Sequence, residues 1–145
     1  MGAVRDDTLG VLTSEGATLE LGLARAESCV EMPLSMVPAD LAGCTITFDV
    51  PESYDVWVTC RVPYLWCKRR GAEAEVLLTD EQGRVIDAVG VRAGRGGDLG
   101  FVTVDELIPA GSGRVTRKLR GCTSKGTGAA NSGGTGTVTM DAYLR

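Results

Sequence analysis

The 145-residue sequence contains no histidine. Without an imidazole, Ser-His-Asp and Cys-His catalytic arrangements are excluded, and so are imidazole ligands to zinc or iron. A four-thiolate zinc site would need paired spacings such as C-x-x-C, which the cysteines lack. The closest pair, Cys60 and Cys67, is separated by six residues. We therefore expect no catalytic residue of these classes, no metal and no cofactor.

Long apolar runs are also missing. No stretch approaches the roughly 18 apolar residues of a membrane span, and the first ten residues, MGAVRDDTLG, carry an acidic pair where a secretion signal needs a basic start and an apolar core. We expect neither export by a signal of its own nor contact with a membrane. The odd number of cysteines suits reduced, mostly buried thiols in a cytosolic product, and one or two disulfides in an oxidising destination remain the alternative: Cys29, Cys44, Cys60, Cys67 and Cys122.

The sequence also lacks an excess of positive charge. The formal net charge is −4, with 15 Lys and Arg against 19 Asp and Glu. This balance argues against a nucleic-acid partner. Two glycine-rich stretches do not fit nucleotide-binding loops, because GRGGDLG lacks the third fingerprint glycine and GCTSKGTG lacks the Gly-Lys-Ser/Thr order of a P-loop. We interpret both as flexible connections, the second within a long loop, SKGTGAANSGGTG.

What the sequence does contain, repeatedly, is alternation of apolar and polar residues, the pattern of half-buried β-strands. It predicts roughly eight or nine strands separated by turns, in one antiparallel two-sheet domain. Pro33 marks its strand as an edge or as a strand start. The residues expected to face inward include Leu19, Leu21 and Leu23; Val30, Met32, Leu34 and Met36; Cys44, Ile46, Phe48 and Val50; Tyr54, Val56, Val58, Cys60 and Val62; and Val138, Met140, Ala142 and Leu144.

The acidic stretch AEAEVLLTDEQGRVIDAVGV reads as a hairpin rather than a catalytic loop. Glu73 and Glu75 alternate with apolar residues, so they are expected on the outer face of a strand, solvated and unpaired. Asp80 begins the turn and Gly83 supplies its positive φ. Adjacent Asp80 and Glu81 would point apart, whereas a glycosidase needs two converging carboxylates.

Five residues are candidates for an interface. Trp57 is expected on the polar face of its strand, where a large apolar group often marks a subunit contact. Tyr64, Trp66 and Arg69 belong to YLWCKRRG, read as a loop; such aromatic and cationic residues are enriched in contact hot spots, although they could instead cover one end of the sandwich. Arg117 shares a face with apolar residues, and is either a rim residue or an ion-pair partner across an interface.

The order of several motifs resembles small jelly-roll virion proteins of tailed bacteriophages of actinobacteria, often described as minor tail proteins. The resemblance covers roughly residues 30–145 and rests on LAGCTITFDVPESYDVWVTCRVP, LLTDEQGRVIDA, GRVTRKLRGCTSKGTG and TVTMDAYLR. It implies an all-β jelly roll akin to the C1q and tumour-necrosis-factor heads, commonly assembled as a trimer, and it carries over no catalytic residues. Residues 1–29 lie outside the best match and are expected to form a strand or docking segment. No shaft-like segment precedes the domain, so a compact docked subunit is expected rather than a free-standing fibre.

Three hypotheses about function follow. The first is a structural virion protein, synthesised in the host cytoplasm and displayed on the tail or as a capsid decoration, which assembles with itself and with other virion proteins and contacts the host. The alternative is a carbohydrate-binding module that recognises host cell-wall glycans through Trp66, Tyr64 or Trp57. The weakest is a carboxylate hydrolase that uses Glu73, Glu75, Asp80 or Asp105.

Overall fold

The computed structural model describes residues 22–93 and 99–145, and nearly all of the regular secondary structure in this part of the chain is β-strand. The strands, in chain order, are β1 (Gly22–Ser28), β2 (Met32–Leu34), β3 (Ala39–Val50), β4 (Val56–Cys67), β5 (Glu73–Thr79), β6 (Val85–Arg92), β7 (Gly100–Ile108), β8 (Gly113–Thr123), β9 (Gly128–Ala130) and β10 (Val138–Leu144). One 3₁₀ turn, Ser132–Gly134, separates β9 from β10.

The strands form two antiparallel sheets. In the first sheet the long strands lie in the order β1-β10-β4-β7, and the short strands β9 and β2 extend it beside the end of β4. The second sheet has the order β3-β8-β5-β6. The chain passes between the sheets at most connections, and its first and last described strands are neighbours. This is the connectivity of a jelly roll, two four-stranded sheets built from eight long strands.

The core lies between the sheets and is made by every second residue of the long strands. The inward positions predicted for β3 and β4 are confirmed, as are those of Met32 and Leu34 in β2 and the first three predicted for β10. The buried residues of β3 and β4 include Cys44, Ile46, Phe48, Val50, Val56, Val58, Cys60 and Val62. A two-residue period therefore defines the inner face of each sheet.

Three predicted inward residues are exposed instead. Val30 and Met36 lie outside β2, which has only three residues, and Tyr54 precedes β4. The alternating pattern extended beyond the hydrogen-bonded ladder in each case. Pro33 does mark an edge, as predicted, because β2 is the outermost strand of its sheet in the described part of the chain.

Two segments interpreted as loops contain strands. YLWC continues β4 to Cys67 across an irregularity in its pairing with β7, between Val62 and Leu65. The segment 128–130 within SKGTGAANSGGTG forms β9, which pairs with both β4 and β2. A Cβ atom on Gly128 would collide with the carbonyl oxygen of Trp66, so this glycine permits a close approach of strands rather than flexibility.

The amino-terminal segment contributes directly to the sandwich. Of the residues expected to form a strand or docking segment, 22–28 are β1 and pair with β10. Leu23 is buried as predicted, whereas Leu19 and Leu21 lie outside the described residues. Most of GRGGDLG is also outside them. No helix in the described chain is long and apolar enough to cross a membrane.

Candidate functional site

The acidic stretch forms the predicted hairpin between β5 and β6. Asp80 Oδ1 accepts hydrogen bonds from the backbone N–H groups of Arg84 at 2.9 Å and Gln82 at 3.0 Å, and Gly83 has φ +86°. The Arg84 N–H, foremost, holds the pKa of Asp80 below its usual value. Asp80 is therefore fully used in shaping a turn.

The expectation that Glu73 is unpaired is wrong. Glu73 and Arg92 are register partners on β5 and β6, and Glu73 Oε2 lies 3.9 Å from Arg92 Nη2. The Glu75 carboxylate, two residues on, accepts a long contact from Cys122 Sγ at 4.0 Å. These carboxylates are engaged with neighbouring strands of one sheet, and they do not converge on Asp80 at the turn.

Arg117 forms an ion pair inside the chain, an arrangement not considered among the sequence-based alternatives. Its Nε and Nη2 donate to Glu106 Oε1 at 2.6 Å and Oε2 at 3.0 Å, a bidentate geometry. The two side chains are only 14% and 17% exposed. Arg117 lies on β8 and Glu106 on β7, so the pair links a strand of one sheet to a strand of the other.

The cysteines are all free in this structure, and Cys44, Cys60 and Cys67 are buried. Burial raises the pKa of the Cys44 thiol to about 11. Burial also raises the pKa of Cys60, with a smaller contribution in the same direction from Asp105. Thiols with raised pKa values stay protonated at neutral pH and are weak nucleophiles and poor metal ligands.

Trp57 points outward from β4, as predicted for a residue of the polar face, but it is half-buried. Its register partners are Tyr143 on β10 and Leu107 on β7, so three large side chains form a row across the outer face of the sheet. The guanidinium of Arg145 lies 5.2 Å from the centre of the Trp57 ring, within range of a cation–π contact.

Tyr64 lies at the irregular part of β4 and has φ +52°, an unusual backbone conformation for a tyrosine. Its ring is 5.0 Å from that of Phe101 on β7, tilted by 59°. The Phe101 side chain is strongly exposed, at 72%. Sequence alternation does not reveal this pair, because the residues lie on separate strands and their contact depends on the irregularity between Val62 and Leu65.

The two remaining interface candidates lie close together along the chain. Trp66 is half-buried near the end of β4, opposite Ala129 of β9. Arg69 is exposed in the turn that follows, where its carbonyl accepts the Ala72 N–H at 3.0 Å. The five candidates therefore do not form one site: four follow β4 and its turn, and Arg117 lies between the sheets. Their participation in an interface stays a prediction.

An exposed apolar edge accompanies β2. Val30, Met36 and Val37 flank this strand and are 58%, 59% and 70% exposed. Because β2 is the outermost strand of its sheet among residues 22–93 and 99–145, these side chains adjoin backbone groups that a further strand could pair with. We call residues 30–37 the apolar edge.

Among residues 22–93 and 99–145, no cluster of three or more Cys, Asp or Glu side chains is placed to hold a metal ion. A groove with both aromatic and charged lining residues lies over β4 and β7.

Comparison with known proteins adds the following. The sequence matches no protein-family model and no curated protein. Solved structures that match include the infectious bursal disease virus VP2 subviral particle (13% identity, TM-score 0.41, 98% of this chain and 45% of that one). Others are the enzymatically active domain of bacteriophage CBA120 tailspike protein 4 (16% identity, TM-score 0.30, 84% and 19%) and dimeric latent PorU from Porphyromonas gingivalis (11% identity, TM-score 0.35, 90% and 13%).

This chain spans less than half of the length of each of these structures. Their TM-scores are all below 0.5, so the likeness carries no argument about function. The fold assignment rests instead on the strand order of the chain itself, which establishes the all-β, two-sheet sandwich expected from the sequence. The finer expectation of a C1q or tumour-necrosis-factor type of head stays a prediction.

Proposed function

We propose that this chain is a structural virion protein that acts by protein–protein association rather than by catalysis. The observation that carries the proposal is the apolar edge beside β2, where three large aliphatic side chains are more than half exposed. Monomeric proteins usually protect such edges, since an unpaired strand flanked by apolar side chains invites association. Burial of the apolar edge against another subunit would protect it from nonspecific association.

The finer part of the proposal comes from the motif resemblance to small phage virion proteins. It is that the chain is a subunit on the surface of a tailed bacteriophage, located on the tail or as a capsid decoration, and that it forms a closed homo-oligomer, a trimer. Closed symmetry satisfies every copy of the edge at once, whereas an open contact would extend into fibres. Contact with other virion proteins and with the host surface belongs to the same proposal.

The assembly test is a comparison of two charge substitutions at exposed apolar residues. Val37 lies in the apolar edge. Tyr54 lies before β4 and is 53% exposed, so Tyr54→Asp is the control for Val37→Asp. We expect Val37→Asp to shift the wild-type oligomer toward monomer and Tyr54→Asp to leave it unchanged, as measured by sedimentation velocity. If the oligomer persists in Val37→Asp, its interface lies on another surface and not at the apolar edge. A monomeric wild type would contradict the proposal.

The virion location has its own test. Purified particles of the encoding phage would be examined by mass spectrometry and by immunogold labelling with antibody against this chain. We expect the protein in stoichiometric amounts on the particle surface, and the position of the label would distinguish the tail from the capsid. Its absence from purified particles would contradict a structural virion role.

A further inference from the structure

We propose that the outer face of the first sheet carries a carbohydrate-binding groove, centred on Arg61, Tyr64 and Phe101. The groove has a volume of about 420 Å³ and lies over the junction of β4 with β7 and with the 136–139 segment. This volume is within the range of small-ligand sites. The inference goes beyond the proposed assembly role and does not depend on it.

The groove contains an apolar floor suited to a sugar ring. Tyr64 and Phe101 are paired at 5.0 Å, and Phe101 is 72% exposed. The face of an aromatic ring is electron-rich, and the C–H groups along one face of a sugar ring are apolar and slightly positive. An exposed aromatic pair can therefore stack against a sugar while leaving the sugar hydroxyls free to hydrogen-bond at the walls.

Polar groups adjoin the aromatic pair on one side. Arg61 is exposed on the outer face, and its register partners are Thr103 on β7 and Thr139 on β10. In the described chain the Arg61 guanidinium makes no hydrogen bond or ion pair with a side chain. A guanidinium flanked by two hydroxyl-bearing residues offers several donors and acceptors, which matches the hydroxyl groups of a sugar.

The part of the lining at Gly136 is held by Asn131, which is fully buried. Its Oδ1 accepts the Gly136 N–H at 2.9 Å, and its Nδ2 donates to the carbonyls of Gly136 at 2.9 Å and Val30 at 3.1 Å. A Cβ on Gly136 would lie 3.1 Å from the Tyr64 ring, so this part of the lining packs closely on the aromatic floor.

Backbone strain coincides with the same site. Tyr64 at φ +52° and Asn131 at φ +53° are the two non-glycine residues with positive φ in the described chain, and they stand on the floor and behind the wall of one groove. Such conformations are costly and tend to persist where they shape a ligand site. The groove is therefore formed before any ligand arrives, which reduces the ordering cost of binding.

The surrounding charge restricts the kind of sugar. Asp141 lies diagonally across from Arg61 on the same face, and burial raises the pKa of Asp141 while the nearby Arg25 and, more weakly, Arg61 oppose that rise. Asp105 also occupies the adjacent rung of β7. Arg61 is the one charged residue among those that line the groove, and the Asp141 and Asp105 carboxylates lie beside it rather than in it. A single guanidinium matches at most one negative charge, so the ligand class is a neutral or singly charged oligosaccharide.

The test is binding of the purified wild-type protein to an array of neutral, uronic-acid and sulfated oligosaccharides, followed by titration of the best-bound member. We expect neutral or singly charged members to bind. Phe101→Ala and Arg61→Ala should each weaken binding about tenfold or more, as expected when a stacking surface or a charged hydrogen-bond donor is lost. Both residues are surface-exposed, and far-ultraviolet circular dichroism and the thermal midpoint would verify that the variants fold.

Matched controls are available outside the groove. Tyr54→Ala removes an aromatic ring of comparable exposure, and Arg114→Ala removes a guanidinium that is 71% exposed. Both should bind as the wild type does. Absence of binding to every array member, binding confined to sulfated polyanions, or equal binding by the groove and control variants would each overturn the proposal. The oligomeric mass, measured on the same samples, reports separately on the assembly role.

Discussion

The ion pair between Arg117 and Glu106 permits a quantitative prediction, because it joins the two sheets where little water reaches. Glu106→Ala leaves the Arg117 guanidinium, 14% exposed, without its bidentate partner. Breaking a buried pair by removing one partner costs about 3–5 kcal/mol. Because both side chains keep a small exposure, we expect a loss near the lower limit, about 3 kcal/mol in the free energy of unfolding.

The double variant Glu106→Leu/Arg117→Met measures the net contribution of the ion pair to stability. The single variant measures in addition the penalty of leaving one charge without its partner. The double variant replaces both charges with apolar side chains of similar length, so its stability should be within about 1 kcal/mol of wild type. Urea unfolding at constant m-value measures both effects. The loss caused by Glu106→Ala should change little between low and moderate salt, because a buried pair is weakly screened.

The surface pair between Arg114 and Asp49 provides the control. Its atoms are 3.6 Å apart and its side chains are 71% and 73% exposed, so Asp49→Ala should cost no more than about 0.5 kcal/mol. If Glu106→Ala also cost less than about 1 kcal/mol, or if the double variant lost as much as the single one, the Arg117 pair would not be a largely buried contact between the sheets.

Three further predictions concern β9, the 131–137 segment and the hairpin. Gly128→Ala should lower stability by about 2 kcal/mol, measured by urea unfolding, because its Cβ meets the backbone oxygen of Trp66 and forces β9 from β4. Asn131→Ala should cost about 3 kcal/mol by the same assay, since it removes three buried hydrogen bonds. Asp80→Asn keeps an acceptor but loses the charge. Folding lowers the pKa of Asp80, so the stability advantage of wild type should be full at pH values above the carboxyl's ordinary, unfolded-state pKa. It should disappear as the pH falls through the lower pKa of the folded state. Equal stability of wild type and Asp80→Asn in urea at neutral pH would contradict this.

The regular part of the fold was predictable because it depends on a local, two-residue period. From Cys44 to Val50 in β3 and from Val56 to Val62 in β4 every second residue is apolar, and these residues are buried as predicted. The hairpin at Asp80 was also predictable, because its hydrogen bonds connect residues no more than four positions apart. Local chemistry of this kind is visible in the sequence without knowledge of the fold.

The candidate site depends on contacts between residues far apart in the chain, and the sequence offered little signal for it. Glu106 becomes the partner of Arg117 only when the two sheets that contain β7 and β8 pack together. Phe101 meets Tyr64 only because β4 is irregular between Val62 and Leu65, an interruption that alternation does not encode. The burial of Asn131 and its three side-chain hydrogen bonds were also not predicted, because the glycine content of its segment indicated a flexible loop.

The central claim, that this jelly roll exists to associate with other copies, is tested most directly by its mass in solution. Sedimentation equilibrium of the full chain at micromolar concentration should give a closed oligomer, three times the 15.2 kDa of one chain, with no larger species growing as concentration rises. A mass of 15.2 kDa that persists up to millimolar concentration would contradict the account.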